Sequence, residues 1–149
     1  DKIIQNRDKL EELIVRAHVE AKFAWDKGAT EAQMKEIQKH IRHAQWRWDF
    51  VAASHGAGFH APVEASRILS TGITTIQEGR IKLARLLAQL GHNQEIPYPD
   101  IETKAKAQQY IGLDMPKLNA EKEVFKKEVI PQWIQKAMER ESKYETKVL

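Results

Sequence analysis

Six histidines, the carboxylates and four tryptophans carry whatever chemistry this 149-residue chain has to offer, because it contains no cysteine. The missing thiols exclude disulfides, zinc ribbons, thiol catalysis and thioether attachment of a c-type haem within the chain. His40 and His43 are spaced i, i+3 on what reads as one helix, a spacing that can share a metal. That helix lacks the Glu-x-x-His pairs of a di-iron bundle and the His-Glu-x-x-His of zinc proteases, and Lys39, Arg42 and Arg47 beside it favour a solvated face. Trp46 and Trp48 invite an aromatic platform, but two helical steps turn the chain by about 200°, so the rings point apart. One fits a packing seam and the other a second packing surface. Trp25 and Trp133 read as core or interface anchors.

The segment SHGAGFHAP, Ser54 to Pro62, is the best local candidate. Glycines ahead of a helix can cradle a phosphate, but no Gly-Lys-Ser/Thr follows and no strand precedes. Gly56 and Gly58 also let the backbone come close to a large planar group, and His55 and His60 bracket that place. A neutral imidazole there makes a good axial ligand for iron; the alternative is an ordinary loop histidine.

Helices must position these residues, since strand patterns are almost absent. Leu10, Leu13, Ala17, Ala21 and Ala24 recur at helical spacing, with Trp25 widening that face, Phe23 off it and Gly28 as the stop. Thr30 and Gln33 form a capping box for a second helix. Its seam is Met34, Ile37, Ile41, Ala44, Trp48 and Val51, which extended by four reaches His55. Pro62 opens a third helix that ends at Gly91, with a stripe of Leu69, Ile73, Ile76, Leu83, Leu87 and Leu90. Gly72 and Gly79 weaken it unless another backbone packs closely there. That helix, about 43 Å long at 1.5 Å per residue, modestly exceeds the roughly 38 Å breadth of a compact domain of this size. Part of its cover is expected on another chain or a missing domain.

HNQEIPYPD, His92 to Asp100, is a loop by its prolines. Asp100 caps a short helix over Ile101 to Ile111 that stops at Gly112, and Asp114 with Pro116 opens the last one. That helix carries Leu118, Val124, Phe125 and Val129, is kinked by Pro131 and continues through Trp133, Ile134 and Ala137. From Met138 the charged tail is expected to fray. The reading is all-α: about five helices with one long central one, in a single domain over 1–149. With 24 basic against 21 acidic residues, interleaved rather than clustered, the net charge of +3 gives no reason to expect nucleic acid. No run approaches the roughly 20 apolar residues of a membrane span. The first residues have neither Met nor an apolar leader, so the chain reads as a piece cut from something longer.

AQWRWDFVAASHGAGFHAP, then KLARLLA, KAQQYIGLDM and VIPQW, in that order, resemble the C-terminal helical region of periplasmic ammonia-forming cytochrome c nitrite reductases. The resemblance runs from His18 to Met138. It implies a pentahaem parent that reduces nitrite to ammonium with six electrons, with haem c and calcium as cofactors. It also implies a homodimer, a quinol-linked or cytochrome electron donor and a periplasmic location. None of the family's haem-attachment motifs is present, and its catalytic and calcium-site residues belong to other segments. The chain would then be an inactive fragment that leans on the upstream haem-bearing part of the same protein. His60 resembles the family's distal axial ligand of an electron-transfer haem, with His55 as the alternative. The stripe Leu69, Ile73, Ile76, Leu83, Leu87 and Leu90 would form the dimer interface. The competing reading is a free-standing helical interaction module without redox activity.

Overall fold

The computed structural model describes residues 2–144, and every regular element among them is helical. The elements are α1 (Lys2–Asp26), α2 (Glu31–Ala53), α3 (Ala57–His60), α4 (Pro62–Gln89), α5 (Lys104–Tyr110), α6 (Met115–Glu128) and α7 (Ile130–Glu141). Seven segments replace the expected five. SHGAGFHAP folds a turn of its own, and Pro131 accompanies a break rather than a kink. Val129 ends α6 and precedes α7, and Pro131 sits in the first turn of α7, where its missing N–H is tolerated. The chain divides between Tyr98 and Pro99 into two compact units.

The first unit is a three-helix core. The Thr30–Gln33 capping box starts α2 as expected, with the Gln33 amide donating to Thr30 Oγ1 at 3.3 Å and the Thr30 amide donating to Gln33 Oε1 at 2.8 Å. At the end of α4, Gly91 has φ +83°, and the amides of Gly91 and His92 donate to Ala88 and Leu87. This bond pair closes a helix around a left-handed residue, which glycine adopts without a Cβ penalty.

The helix α4 packs against both α1 and α2, which also pack on each other. Its buried positions are Ala65, Leu69, Gly72, Ile76, Gly79, Leu83, Leu86 and Leu87. Through Leu86 these alternate by four and three, the spacing of a helix seated between near-parallel neighbours. Both glycines lie in that seam. A Cβ at Gly72 would sit 2.6 Å from Leu10 Cδ2 of α1, and one at Gly79 would sit 2.7 Å from His40 Cβ of α2.

This packing overturns the expected dimer interface. Leu69, Ile76 and Leu83 have no exposed surface and Leu87 is buried, while Ile73 and Leu90 pack half-buried on the same core. Most of the stripe is covered by α1 and α2 of its own chain, which leaves only part of Ile73 and Leu90 uncovered. Trp25 likewise projects outward rather than widening the core face, and Phe23, expected off that face, packs against the core.

The second unit is different in kind. Its first helix starts at Lys104, capped by Thr103 Oγ1 accepting from the Lys106 amide, rather than at Ile101 under Asp100. Asp100 instead pairs with the Lys106 ammonium. Asp114 caps α6 as expected, accepting from the Lys117 amide at 3.0 Å. No side chain of α5, α6 or α7 is buried. Phe125 and Trp133 meet edge to face with centroids 5.3 Å apart, yet both remain largely exposed. Helix persists past Met138 to Glu141; the expected fraying of 145–149 lies outside the described residues. No helix among the described residues is long and apolar enough to cross a membrane.

Candidate functional site

The segment between α2 and α4 is built around Gly56. The last turn of α2 closes when Ser54 Oγ donates to the Phe50 carbonyl at 2.5 Å. Gly56 then takes φ +86°, a left-handed conformation that reverses the chain into α3. Its carbonyl accepts from the amides of both Phe59 and His60 at 2.9 Å. This short turn carries the His60 ring back over Gly56. A Cβ on Gly56 would lie 3.2 Å from His60 Cδ2 and 3.7 Å from its Nε2. Any larger residue would fill the space under the imidazole.

His60 is exposed, and neither ring nitrogen has a hydrogen-bond partner among the described residues. Phe59, 84% exposed, stands edge-on to it at 5.1 Å between centroids. Val63, at the start of α4, is 82% exposed. An imidazole with free nitrogens, amid uncovered apolar side chains and above a glycine, fits the end of an axial-ligand position beside a planar group. His55 is also exposed, but it lies past the end of α2 at Ala53 and so does not extend the seam.

The other histidines are placed differently. His40 packs half-buried at Gly79, its Nδ1 2.6 Å from the Glu36 carbonyl and its Nε2 3.7 Å from Glu78. His43 is exposed, and no group of three potential metal ligands occurs among the described residues. Trp48 packs against the core while Trp46 is 72% exposed, in agreement with their opposite directions. Trp46 and Phe50 stand one turn apart on α2 and flank a groove of about 240 Å³ completed by Arg47, Arg67, Ile68 and Thr71. Glu64 receives two hydrogen bonds from Arg67, which hold its carboxyl below the usual carboxylate range and raise the guanidinium.

Sequence reasoning missed a second concavity. The loop after α4 folds back along α1 and α4 and roofs a cleft of about 370 Å³. His92 packs on Phe23 at 4.6 Å, Ile96 rests on the core, and Arg16 lies 4.9 Å over the Tyr98 ring. Beneath them Arg80 of α4 forks onto Glu20 of α1, whose hydrogen bonds raise that guanidinium above its ordinary value. Burial pushes the Tyr98 hydroxyl up. Two prolines marked the segment only as a loop, because a fold-back depends on partners far away in sequence.

The family model for cytochrome c552 matches residues 1–143. The chain belongs to the cytochrome c552 family. It is 55% identical over 131 residues to a cytochrome c-552 of Porphyromonas gingivalis, covering 88% of this chain and 26% of that protein. A cytochrome c-552 of Parabacteroides distasonis is 53% identical over 139 residues, 93% of this chain and 28% of the relative. One from Bacteroides thetaiotaomicron is 55% identical over 131 residues, 88% and 27% respectively. The chain thus spans about a quarter of the length of these curated relatives.

These findings correct the reading drawn from the resemblance. Family and relatives are named as cytochromes c-552, and none of the names specifies nitrite reduction. The assignment as a C-terminal nitrite-reductase fragment is therefore withdrawn, and with it the ammonia-forming activity and nitrite as substrate. The redox-free interaction module is withdrawn too, because almost the whole chain matches a cytochrome family. Calcium and a homodimer find no support in these matches. What stands is haem c as the family's cofactor, with the attaching cysteines absent from these 149 residues.

Proposed function

We propose that this chain serves electron transfer in a cytochrome c552 by presenting His60 as an axial ligand to a haem attached elsewhere. The observation that carries the reading is the exposed His60 ring, unpartnered at both nitrogens and seated over the left-handed Gly56. Haem supplies a reversible one-electron couple, and a second imidazole on its iron leaves no open position for substrate. The chain's part is to hold the His60 imidazole in place. The Gly56 carbonyl fixes the α3 turn, Phe59 restricts the ring from the side, and the three-helix core anchors both flanks. With no cysteine here, the cofactor arrives on another segment, so a haem-bearing body is the expected partner. A periplasmic location and an external electron donor belong to the same proposal.

The test is titration of the chain with ferric protoporphyrin, followed by Soret absorption and electron paramagnetic resonance. Low-spin ligation should appear with the wild type and His55→Ala and disappear with His60→Ala. Gly56→Ala should weaken it, since the new Cβ meets the ring and the backbone is strained at φ +86°. Loss with His55→Ala but not His60→Ala would move the role to His55. Equal spectra from all variants would refute an axial role for either.

A further inference from the structure

The groove between α2 and α4 has features the three-helix core does not need. Trp46 and Phe50 lie four residues apart on one helix face, 72% and 56% exposed, at a place where an isolated bundle gains nothing from uncovered aromatics. Arg47 is half-buried, and its Cβ lies 3.5 Å from where a Gly72 Cβ would be. One of its nitrogens donates to the His43 carbonyl at 2.7 Å, and no carboxylate pairs with it among the described residues. A guanidinium without a carboxylate partner is available to pair with an incoming one. Across the groove Arg67 is held by Glu64 in an exposed pair, which contributes little and exchanges readily. Thus two aromatic faces, an apolar floor at Ile68 and one uncompensated guanidinium face a space of about 240 Å³.

That combination selects a flat apolar ligand with a carboxylate on its edge. The volume suits one edge of a tetrapyrrole rather than the whole ring. Along α4, Ile68 lies six residues from Pro62, the residue that opens the helix after His60, an axial rise of roughly 9 Å. This is the scale of the reach from a haem iron to its propionates. We propose that the Trp46–Ile68 groove seats the propionate-bearing edge of the haem that His60 ligates, with Arg47 pairing with a propionate. This rests on His60 acting as an axial ligand, but its test does not.

The probe is metal-free deuteroporphyrin IX, which has two propionates and no iron for His60 to bind, compared with its dimethyl ester, which has no carboxylates. Binding to the whole chain is read from porphyrin anisotropy and quenching of tryptophan fluorescence. The diacid should bind the wild type at least tenfold more tightly than the ester. Arg47→Gln should remove that preference and Arg47→Lys should restore part of it. Trp46→Ala should weaken both ligands, while His60→Ala should change neither. Equal affinity for diacid and ester on the wild type, or no binding of the diacid, overturns the inference without requiring any variant to fold. If the metal-free probe behaves as expected but ferric protoporphyrin gives no His60-dependent low-spin spectrum, the groove stands and the axial-ligand reading fails.

Discussion

Gly79 offers the sharpest check on how α2 and α4 fit together. Replacing an interior helical glycine by alanine normally stabilises by about 1 kcal/mol. Here the added Cβ would sit 2.7 Å from His40 Cβ and 3.5 Å from its Cγ. A Cβ cannot be swung aside by a side-chain rotation, so the helices must separate by about 0.7 Å to reach ordinary contact at 3.4 Å. A gap of that size forfeits a quarter to a half of the dispersion well of each affected contact, and a buried aliphatic side chain makes about 40–60 contacts worth ~0.1–0.2 kcal/mol each. Ile37, Ile41, Ile76 and Leu83 lie buried on these two helices. Losing a quarter of one such side chain's contacts costs about 1–3 kcal/mol, before neighbours readjust. Set against the propensity gain of about 1 kcal/mol, this leaves Gly79→Ala destabilising by up to about 2 kcal/mol. In urea unfolding followed by circular dichroism, the midpoint should fall, by up to about 1.3 M for a slope near 1.5 kcal/mol/M. A midpoint that rises, as for an exposed helical glycine, would refute the idea that Gly79 sets the helix separation.

Glu20→Gln should cost about 1–2 kcal/mol, because it leaves the Arg80 guanidinium partly desolvated with a neutral partner. An unchanged urea midpoint would show that solvent already screens the pair. Hydrogen bonds from Lys9 and Arg16 hold the Glu12 carboxyl below the usual carboxylate range, and Arg67 and Lys126 do the same for Glu64 and Glu123. Because these folded values are depressed, their contribution is present above the unfolded value and lost as pH falls through the folded ones. Urea midpoints should therefore hold steady from neutrality to about pH 5 and decline below it, less steeply in high salt; a rise on acidification would contradict the assignment. Amides of α6 and α7 should exchange with solvent far faster than those in the middle of α2 and α4, since the second unit buries no helical side chain. Equal protection by hydrogen-exchange mass spectrometry would mean that its apolar faces are covered.

Local chemistry was legible from the residues themselves. Capping at Thr30 and Asp114, stops at Gly28, Gly91 and Gly112, and the start of α4 at Pro62 each follow from a few neighbouring residues, and they stand where the sequence implies. The turn at Gly56 follows in the same way, because glycine adopts the left-handed backbone needed there without a Cβ penalty. Partnership across the fold was not legible. The stripe of Leu69, Ile76 and Leu83 looks the same whether a second chain or α1 and α2 covers it, and only the tertiary structure assigns it to the chain's own core. Gly72 and Gly79 are legible in the sequence as places that need a close neighbour, but only the tertiary structure names Leu10 of α1 and His40 of α2 as those neighbours. The Glu20–Arg80 pair and the His92–Tyr98 fold-back join residues tens of positions apart. Short-range rules govern where a helix begins and ends, whereas which face meets which depends on shape and burial that exist only once the chain has folded.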